Sequence, residues 1–365
     1  MKPKVHLFAV AFCGCCFFSH LSQAGSWAEV TPPFVTGAGI SGIAVLSDRD
    51  VWATGDQING KTMTLTEHWD GTSWSVVPSP NPFSKFSLLA GVAAVASNDI
   101  WAVGYGARSD FNTLAIHWDG SAWASVQIPT VANFDSFLNA VSAIASNDVW
   151  AVGFSDTTSG PHHFQPLALH WDGTAWTIIP TPVSGGSRIS SVHAIATNDV
   201  WAAGDTVTDQ SFTASNTFTM HWNGTSWSTV PSPNGAFVQN ALSCVGGVAA
   251  NDVWAMGRTG PDFNSPQVLA LHWDGAVWSV ASTPPQTGVS GFNALVALAT
   301  NNVWTVGTAN GQSLIERWNG SAWKVAPLPP LQDPSSLSAI AAGSRKSLWT
   351  AGSQATGQLF LKMTR

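Results

Sequence analysis

A short phrase centred on tryptophan recurs seven times along the chain, about once every fifty residues. In each copy an apolar residue precedes the tryptophan, and two small or apolar residues and a glycine follow it, as from Val149 to Gly153. Repeats of roughly 40–50 residues built from short apolar runs and turns are typical of propellers, in which each repeat forms one radial sheet. Seven copies therefore predict an all-β fold of seven four-stranded antiparallel blades. The central tryptophans are Trp52, Trp101, Trp150, Trp201, Trp254, Trp304 and Trp349.

A hairpin signal follows this phrase in six of the seven units. It consists of His or Arg, Trp, Asp or Asn, Gly, two further residues and Trp, and in the third unit it runs from His170 to Trp176. Because Gly tolerates the positive φ of a tight turn, Asp172 and Gly173 mark a hairpin with the two tryptophans facing each other. Four strands, named a to d in chain order, are predicted in this unit near residues 140–145, 149–153, 167–171 and 175–179.

The seventh unit ends at Arg365 without this hairpin, and a matching strand stands at the other end of the chain. The segment from Gly25 to Pro32 aligns with the last strand of the first unit, from Gly71 to Pro78. Residues 26–30 are therefore predicted to complete the last blade and close the ring, since an open propeller would expose two sheet edges.

The first 24 residues lie outside the repeat and have the features of a secretory signal peptide. Lys2 and Lys4 precede an apolar run over residues 5–18, and a stretch of small residues ends at Ala24, where we expect cleavage. This predicts export of residues 25–365 as a single propeller domain, secreted to the extracellular space or the periplasm. A lipoprotein signal is a second interpretation, weakened by an apolar run that continues past each candidate cysteine. Those cysteines are Cys13, Cys15 and Cys16.

Charge and cysteine content narrow the range of partners. Without the signal, 12 basic and 21 acidic residues remain, a formal charge of −9, and no basic stripe favours nucleic acid. No later segment is long and apolar enough to span a bilayer.

Without the signal, Cys244 is the one cysteine that remains, which excludes an internal disulfide and suits a small core residue. We expect a monomer that needs no cofactor.

The order of the two phrases resembles a divergent kelch repeat, the unit of the propeller in galactose-oxidase-like proteins. It is also similar to tectonin repeats, which share a Trp-x-Val run and a Gly-x-x-Trp strand and often belong to sugar-binding propellers. Each unit departs from kelch in having one glycine instead of a pair and tryptophan where tyrosine is usual. Both resemblances cover nearly all of residues 25–365 and define a scaffold, not an activity.

The chain lacks the catalytic residues of the enzymes that the kelch resemblance implies. A galactose-oxidase-like copper centre takes two tyrosines, one cross-linked to cysteine, whereas Tyr105 is the sole tyrosine of the chain. A sialidase needs an arginine triad and a Tyr–Glu pair, and none of the three glutamates lies in a long loop. They are Glu29, Glu67 and Glu316.

Two polar positions repeat from blade to blade, and we assign both to structure. A histidine precedes the strand-c tryptophan in five units, too far apart around a ring to share a metal, and is expected to bond a neighbouring strand or turn. These are His68, His117, His170, His221 and His272. An acidic residue begins strand b and is expected to bond local backbone N–H groups. These are Asp50, Asp99, Asp148, Asp199 and Asp252.

The connections that vary between units, b–c and d–a, lie on one face of the disc, where loops on a rigid scaffold usually carry specificity. Phenylalanine recurs there beside Asp or Asn. An aromatic face next to amides and carboxylates suits a carbohydrate, which offers apolar C–H faces and hydroxyls. The alternative is that each Phe packs its own loop onto the blade. The candidate ligand residues are Asp110, Phe111, Asn112, Asn133, Phe134, Asp135, Asp262, Phe263, Asn264, Phe292 and Asn293.

Three further histidines of residues 25–365 stand outside the repeat. His162 and His163, with Asp156, are weak candidates for a metal site, because adjacent side chains diverge in extended backbone and would need another ligand. We therefore predict no metal. His193 replaces a small residue of the innermost strand, where it points into the central channel or bonds the next blade.

These observations predict a secreted, non-catalytic propeller that binds a glycan or another extracellular ligand on its loop-bearing face. A protein-interaction scaffold is the first alternative, and it would present a broad apolar patch. A glycan hydrolase or lyase is the second, and it needs two carboxylates within roughly 5–10 Å. Its candidate carboxylates are Asp110, Asp135, Asp205, Asp209 and Asp262.

Overall fold

The computed structural model describes residues 25–131, 134–157, 162–182, 185–209, 211–262, 264–343 and 347–364. These residues form seven four-stranded antiparallel sheets, and no helix occurs among them. The innermost strands of neighbouring sheets pack on one another in sequence, and the first packs on the seventh, so the sheets make a closed ring. The predicted all-β, seven-bladed propeller is confirmed.

The strands follow the order a to d in every blade. Blade 1 contains β2 (Gly39–Ser47), β3 (Asp50–Asn59), β4 (Lys61–Trp69) and β5 (Trp74–Val76). Blade 2 contains β6 (Phe86–Ala96), β7 (Asp99–Ala107), β8 (Phe111–Trp118) and β9 (Trp123–Val126). Blade 3 contains β10 (Phe134–Ala145), β11 (Asp148–Thr157), β12 (Gln165–Trp171) and β13 (Trp176–Ile178). Blade 4 contains β14 (Ser187–Ala196), β15 (Asp199–Val207), β16 (Ser215–Trp222) and β17 (Trp227–Thr229).

The remaining blades repeat this plan. Blade 5 contains β18 (Gln239–Ala249), β19 (Asp252–Gly260), β20 (Gln267–Trp273) and β21 (Trp278–Val280). Blade 6 contains β22 (Ser290–Ala299), β23 (Asn302–Ala309), β24 (Gln312–Trp318) and β25 (Trp323–Val325). Blade 7 contains β26 (Ser335–Ala342), β27 (Leu348–Gln354), β28 (Gly357–Thr364) and, as its fourth strand, β1 (Ser26–Glu29).

The ring closes through the N-terminal strand, as the sequence predicts. In the β1–β28 ladder Trp27 stands opposite Met363, and its side chain is buried. The Trp27 ring meets Trp304 of blade 6 edge to face, with centroids 5.9 Å apart. Closure therefore depends on main-chain pairing with blade 7 and on aromatic packing against blade 6.

The repeated tryptophans join neighbouring blades as well as the strands of one hairpin. In blade 3, Trp171 and Trp176 face each other with ring centroids 5.9 Å apart, as predicted. The same two rings also pack on Trp101 of blade 2, at 4.8 and 5.2 Å. Edge-to-face and offset aromatic pairs at such distances contribute beyond the area they bury. One tryptophan per strand b thus fixes each blade to the next.

The glycine that ends the tryptophan phrase is explained by a bulge in strand a. In blade 3 the register between strands a and b shifts between Leu138 and Ala140. A Cβ on Gly153 would lie 1.9 Å from the Phe137 carbonyl oxygen, which no side chain can tolerate. In the other six units, a Cβ on the equivalent glycine would also clash with a carbonyl oxygen of strand a. The phrase therefore ends in glycine because two backbones approach closely at the bulge.

The repeated histidines are structural, as predicted, but the expected role of the repeated aspartates is wrong. In blade 3, His170 Nε2 donates to Asp148 Oδ1 at 2.8 Å, and the imidazole packs against the Trp150 ring. Four more blades contain the same pair. The aspartate thus anchors a side chain and not the local backbone. Asx-type bonds occur instead in the c–d turns, where Asp172 Oδ1 accepts from the N–H groups of Thr174 and Ala175.

Residues 1–24, to which the signal-peptide and lipoprotein predictions refer, lie outside the described residues. Cys244 is buried on β18, and its Sγ lies 3.8 Å from the Met256 carbonyl oxygen. Burial raises the pKa of this thiol far above its usual range, as expected for an unreactive core residue. In the part of the chain that the structure describes, no helix is long and apolar enough to cross a membrane.

Candidate functional site

The loop-bearing face is uneven, because its b–c connections differ in length from blade to blade. The b–c connections of blades 1, 6 and 7 are tight turns with glycines at positive φ, including Gly60 at 70° and Gly311 at 76°. The b–c connections of blades 3, 4 and 5 are longer. They join Thr157 to Gln165, Val207 to Ser215 and Gly260 to Gln267. Long loops are therefore concentrated on one side of the disc.

The predicted residues of blades 2 and 3 come together at the edge of this face. Asp135 Oδ1 accepts from the backbone N–H of Phe111 at 2.8 Å, and the Phe111 ring lies 5.0 Å from Phe137. Asn112 Nδ2 donates to the Asp110 carbonyl oxygen. Phe111, Phe134 and Asp135 belong to strands, since β8 and β10 begin earlier than the loop assignment expects.

From Phe111 a row of aromatic rings leads across blade 3 into blade 4. Phe137 stacks on Phe154 with centroids 4.8 Å apart. Phe154 meets Phe164 edge to face at 5.6 Å, and Phe164 meets Phe212 at 5.7 Å. We call these five residues the phenylalanine row. The row ends at Phe212, in the b–c loop of blade 4.

Other candidate residues lie elsewhere. Phe292 is only 1% exposed and belongs to the core between blades 5 and 6. Asn293 Nδ2 donates to the Leu337 carbonyl oxygen of blade 7, so this amide joins two blades. Asn133 and Phe263 lie outside the described residues.

His193 lines the central channel and also bonds the next blade. Its Nε2 donates to the Gly247 carbonyl oxygen of blade 5 at 3.0 Å. Burial lowers the pKa of His193, while the bond to Gly247 acts in the opposite direction. The channel cavity has a volume of about 350 Å³ and is lined by the innermost strands of all seven blades. This half-buried imidazole, bonded to a carbonyl oxygen of blade 5, acts as a link between blades.

A cleft on the loop-bearing face lies over blades 3 to 5. An inner cavity of about 140 Å³ and an outer cavity of about 190 Å³ share Val207 and Phe212 as lining residues. We call the two together the blade 3–5 cleft. The polar and aromatic side chains that define it are His162, Phe164, Arg188, Asp205, Asp209, Phe212, Gln239, Arg258 and Asp262.

Phe212 stands between the two cavities in a strained conformation. Its φ is 58°, in the left-handed region that bulky side chains rarely adopt. The Asp209 carboxylate supports the loop by accepting from the backbone N–H groups of Thr213 and Ala214. The Phe212 ring is half-buried, 5.2 Å from His162 and 5.7 Å from Phe164. Such strain, roughly 1–3 kcal/mol, is concentrated at ligand sites in known proteins.

The inner cavity contains a buried ion pair. Arg188 Nη2 donates to Asp205 Oδ2 at 2.6 Å, and the Arg188 guanidinium lies 5.0 Å above the Phe164 ring. Burial raises the pKa of Asp205, whereas Arg188 and, further away, Arg258 act in the opposite direction. Asp205 is 4% exposed, and its carboxylate is paired with Arg188.

The weak metal candidates form a hydrogen-bonded pair at the outer cavity. His162 Nδ1 donates to Asp156 Oδ2, and Asp156 Oδ1 accepts from the backbone N–H of His163. The Asp156 carboxylate is thus occupied on both oxygens by its own loop. Among the residues that the structure describes, no group of three or more His, Cys, Asp or Glu side chains is placed to hold a metal ion.

The aspartates of the hydrolase alternative are mostly separated. Asp110 belongs to blade 2 and Asp135 bonds the backbone at the blade 2–3 boundary. Asp205 and Asp262 line the same inner cavity, and Asp262 Oδ1 accepts from the Asn264 N–H. Asp209 lines the outer cavity, so among these five aspartates Asp205 and Asp262 are the pair that shares one cavity.

Five residues of the cleft were not among the sequence candidates: Phe164, Arg188, Phe212, Gln239 and Arg258. Arg188, Gln239 and Arg258 lie on strands, whereas the sequence search considered loops. One signal was available, because Lys and Arg together number only 14 in 365 residues. In so weakly charged a chain, an arginine at the loop end of a strand is unusual.

No known family model matches this chain, and none of the curated proteins compared with it is significantly similar. Several solved structures match nearly its whole length. YCF48 bound to a D1 peptide is 15% identical with a TM-score of 0.58, and the match covers 94% of this chain and 96% of that chain. YCF48 from Cyanidioschyzon merolae is 14% identical with a TM-score of 0.59, covering 93% and 98%. U3-55K is 9% identical with a TM-score of 0.60, covering 93% and 98%. At these identities the likeness shows a shared propeller fold.

Proposed function

We propose that this protein is a secreted, non-catalytic propeller that binds a glycan in the blade 3–5 cleft. The observation that carries the proposal is the strained Phe212, whose ring stands between two cavities that have both polar and apolar groups in their lining. A half-buried ring offers a face for sugar C–H groups. The predicted signal peptide at residues 1–24 supports secretion.

The polar lining supplies the other half of carbohydrate recognition. Gln239 Nε2 donates to the Thr213 carbonyl oxygen, which orients its amide at the cavity wall. Asp262 is exposed at the rim, and Arg188 is fixed by Asp205. Amide, carboxylate and guanidinium groups held in place can bond several hydroxyl groups at once. The scaffold holds these groups with little reorganisation, which reduces the entropic cost of binding.

Binding of a protein partner is a second candidate. Phe34 is 94% exposed and Ile58 is 56% exposed, and their segments are joined by the bond from the Ile58 N–H to the Thr36 carbonyl oxygen. These residues belong to blade 1 and to the segment before it, away from the cleft. YCF48, which shares the fold, has a structure with a bound peptide. A protein partner would therefore be expected to need Phe34 and not Phe212.

The two candidates are separated by one pair of variants. Residues 25–365 are purified and tested on a broad panel of polysaccharides and oligosaccharides, alongside Phe212→Asn and Phe34→Asn. Asparagine adopts positive φ readily, so Phe212→Asn removes the ring without new backbone strain. We expect glycan binding that Phe212→Asn weakens at least tenfold and Phe34→Asn leaves unchanged. Absence of binding across the panel would contradict the proposal.

The hydrolase alternative is tested on the same material. If the cleft were catalytic, a bound polysaccharide would be shortened, and Asp262→Asn would stop the release of new reducing ends. A binding propeller leaves the chain length of its ligand unchanged. Overnight incubation followed by measurement of reducing ends therefore distinguishes binding from hydrolysis.

A further inference from the structure

The inner cavity contains two of the few basic residues of the chain, together with Asp205 and Asp262. The chain is acidic overall, with a formal charge of −7 and only 14 Lys and Arg residues. Two of those residues, Arg188 and Arg258, line this one cavity of about 140 Å³. They come from strands of adjacent blades, β14 and β19, so the fold brings them together across a blade boundary.

The two arginines are in different states. Arg188 is held by Asp205 Oδ2 at 2.6 Å and by the Phe164 ring, so its charge is compensated inside the protein. Arg258 is exposed, and no described residue forms a hydrogen bond or an ion pair with its guanidinium. A guanidinium presents up to five N–H donors in a fixed planar fork, which fits a carboxylate. Arg258 is therefore an open anion-binding group at the wall of an enclosed cavity.

The surroundings of Arg258 specify more than an anion. Phe212 offers an apolar face in the same cavity, and Gln239 and Asp262 offer polar groups. Asp262 would repel a second negative charge and accept hydrogen bonds from hydroxyl groups. A ligand that fits all of them carries one carboxylate, an apolar face and several hydroxyls on a body about the size of a sugar ring. The volume is also below the roughly 300–1,000 Å³ of cavities that bury larger ligands.

We propose that the inner cavity binds the uronic-acid unit of an acidic glycan, with the carboxylate on Arg258 and the sugar ring on Phe212. This inference rests on the proposed function and names the class of glycan. Gln239 and Asp262 bond the hydroxyls, while Arg188 and Asp205 hold the cavity floor without contributing net charge.

A peptide carboxylate shares the charge but fits the cleft less well. Extended peptides gain much of their affinity by pairing with a free strand edge. Of the strands that form the cavity wall, β15 and β19 are paired on both sides, whereas β14 and β18 are the innermost strands of their sheets and line the central channel. The other edge strand of each blade, strand d, lies away from the cavity. The cavity thus offers a ligand mainly side chains.

The test compares two probes that differ in the carboxylate alone. Binding of trigalacturonic acid and of its methyl ester is measured by calorimetry at pH 7 with residues 25–365. Arg258→Gln removes the charge at an exposed position, so folding is preserved. Arg49→Gln, in the a–b turn on the opposite face, removes the same charge as a matched control. A third probe is a short peptide with a free C-terminal carboxylate, paired with its amide.

The expected result is binding of the acid, with affinity reduced roughly 10- to 100-fold in the ester and in Arg258→Gln, and unchanged in Arg49→Gln. Equal binding of acid and ester that Phe212→Asn abolishes would overturn the acidic specificity and leave glycan binding intact. Failure of both sugars together with the whole glycan panel would overturn both proposals. Binding of the free-carboxylate peptide through Arg258, without uronate binding, would overturn the assignment to a glycan.

Discussion

Glu67 offers the sharpest test of the energetics of this fold, because its carboxyl group is entirely buried. It precedes His68 on β4, at a position that carries an apolar residue in most other blades, such as Ile116 and Leu169. Gln358 of blade 7 donates to Glu67 Oε1 at 2.9 Å, and Oε2 has no hydrogen-bond partner among the described residues. Burial raises the pKa of Glu67 from 4.5 to about 7. The folded protein therefore retains a proton that the unfolded chain releases.

The direction of the pH effect follows from this difference. Below pH 4.5 the group is protonated in both states, and the stability associated with it is fully present. Between pH 4.5 and 7 the unfolded chain ionises first, so stability falls as pH rises, and above about 7 the loss is complete. A shift from 4.5 to about 7 corresponds to roughly 3 kcal/mol. Exposed carboxyls such as Asp70, whose pKa the turn bonds lower to about 2, titrate below this window.

The assay is urea unfolding followed by tryptophan fluorescence between pH 4 and 8, for the wild-type protein and Glu67→Gln. The variant keeps the bond from Gln358 and cannot ionise. We expect it to match the wild type near pH 4 and to be more stable by about 3 kcal/mol at pH 8. Glu29→Gln, at an exposed glutamate that accepts from Gln354, is the matched control and should show no such divergence. A difference between wild type and Glu67→Gln that stays constant with pH would refute the reasoning.

Two further predictions concern the repeat itself. Trp27→Ala removes the ring that joins β1 to blade 6 and should lower the free energy of unfolding by about 3–5 kcal/mol. Chemical denaturation measures this loss. A loss below about 1 kcal/mol would show that closure does not depend on this contact. Gly153→Ala places a Cβ 1.9 Å from a carbonyl oxygen and should cost about 3 kcal/mol or more, whereas Gly185→Ala, with nothing within 4 Å, should be nearly neutral. Equal melting temperatures for the two glycine variants would contradict the bulge argument.

The sequence predicts the architecture well because each blade repeats the same local signals. The tryptophan phrase locates strand b, the Asp-Gly turn locates the c–d hairpin, and the match to residues 25–32 locates the closing strand. The start of strand a is less predictable. In blade 3 it begins at Phe134, although Asp135 and Ser136 interrupt the apolar pattern, because pairing with β11 satisfies their backbone groups.

The candidate site was harder to predict, because its parts are far apart in the chain. Asp262 was a sequence candidate and lines the cleft, but Arg188 and Arg258 are separated by about seventy residues and meet only when blades 4 and 5 pack. The strain at Phe212 is a property of the folded loop, and its sequence neighbours carry no glycine signal. Phe111 illustrates the opposite case. Its Asp-Phe-Asn phrase is conspicuous in the sequence, but in the fold its ring packs within the phenylalanine row. Local patterns thus identify strands, and contacts between blades create the cleft.

The closing strand also constrains when the molecule can become complete during synthesis. Of the strands in the ring, β1 leaves the ribosome first and its partner β28 leaves last. Ser26 can therefore pair only after Thr364, 338 positions away, has been synthesised. Blades 1 to 6 can each form from contiguous chain, while the seventh cannot. The entropy of joining such distant ends grows only with the logarithm of their separation, so distance itself is a small obstacle. Blade 7 is instead completed only when β1 meets β28, and until then it keeps an unpaired edge that is open to other strands.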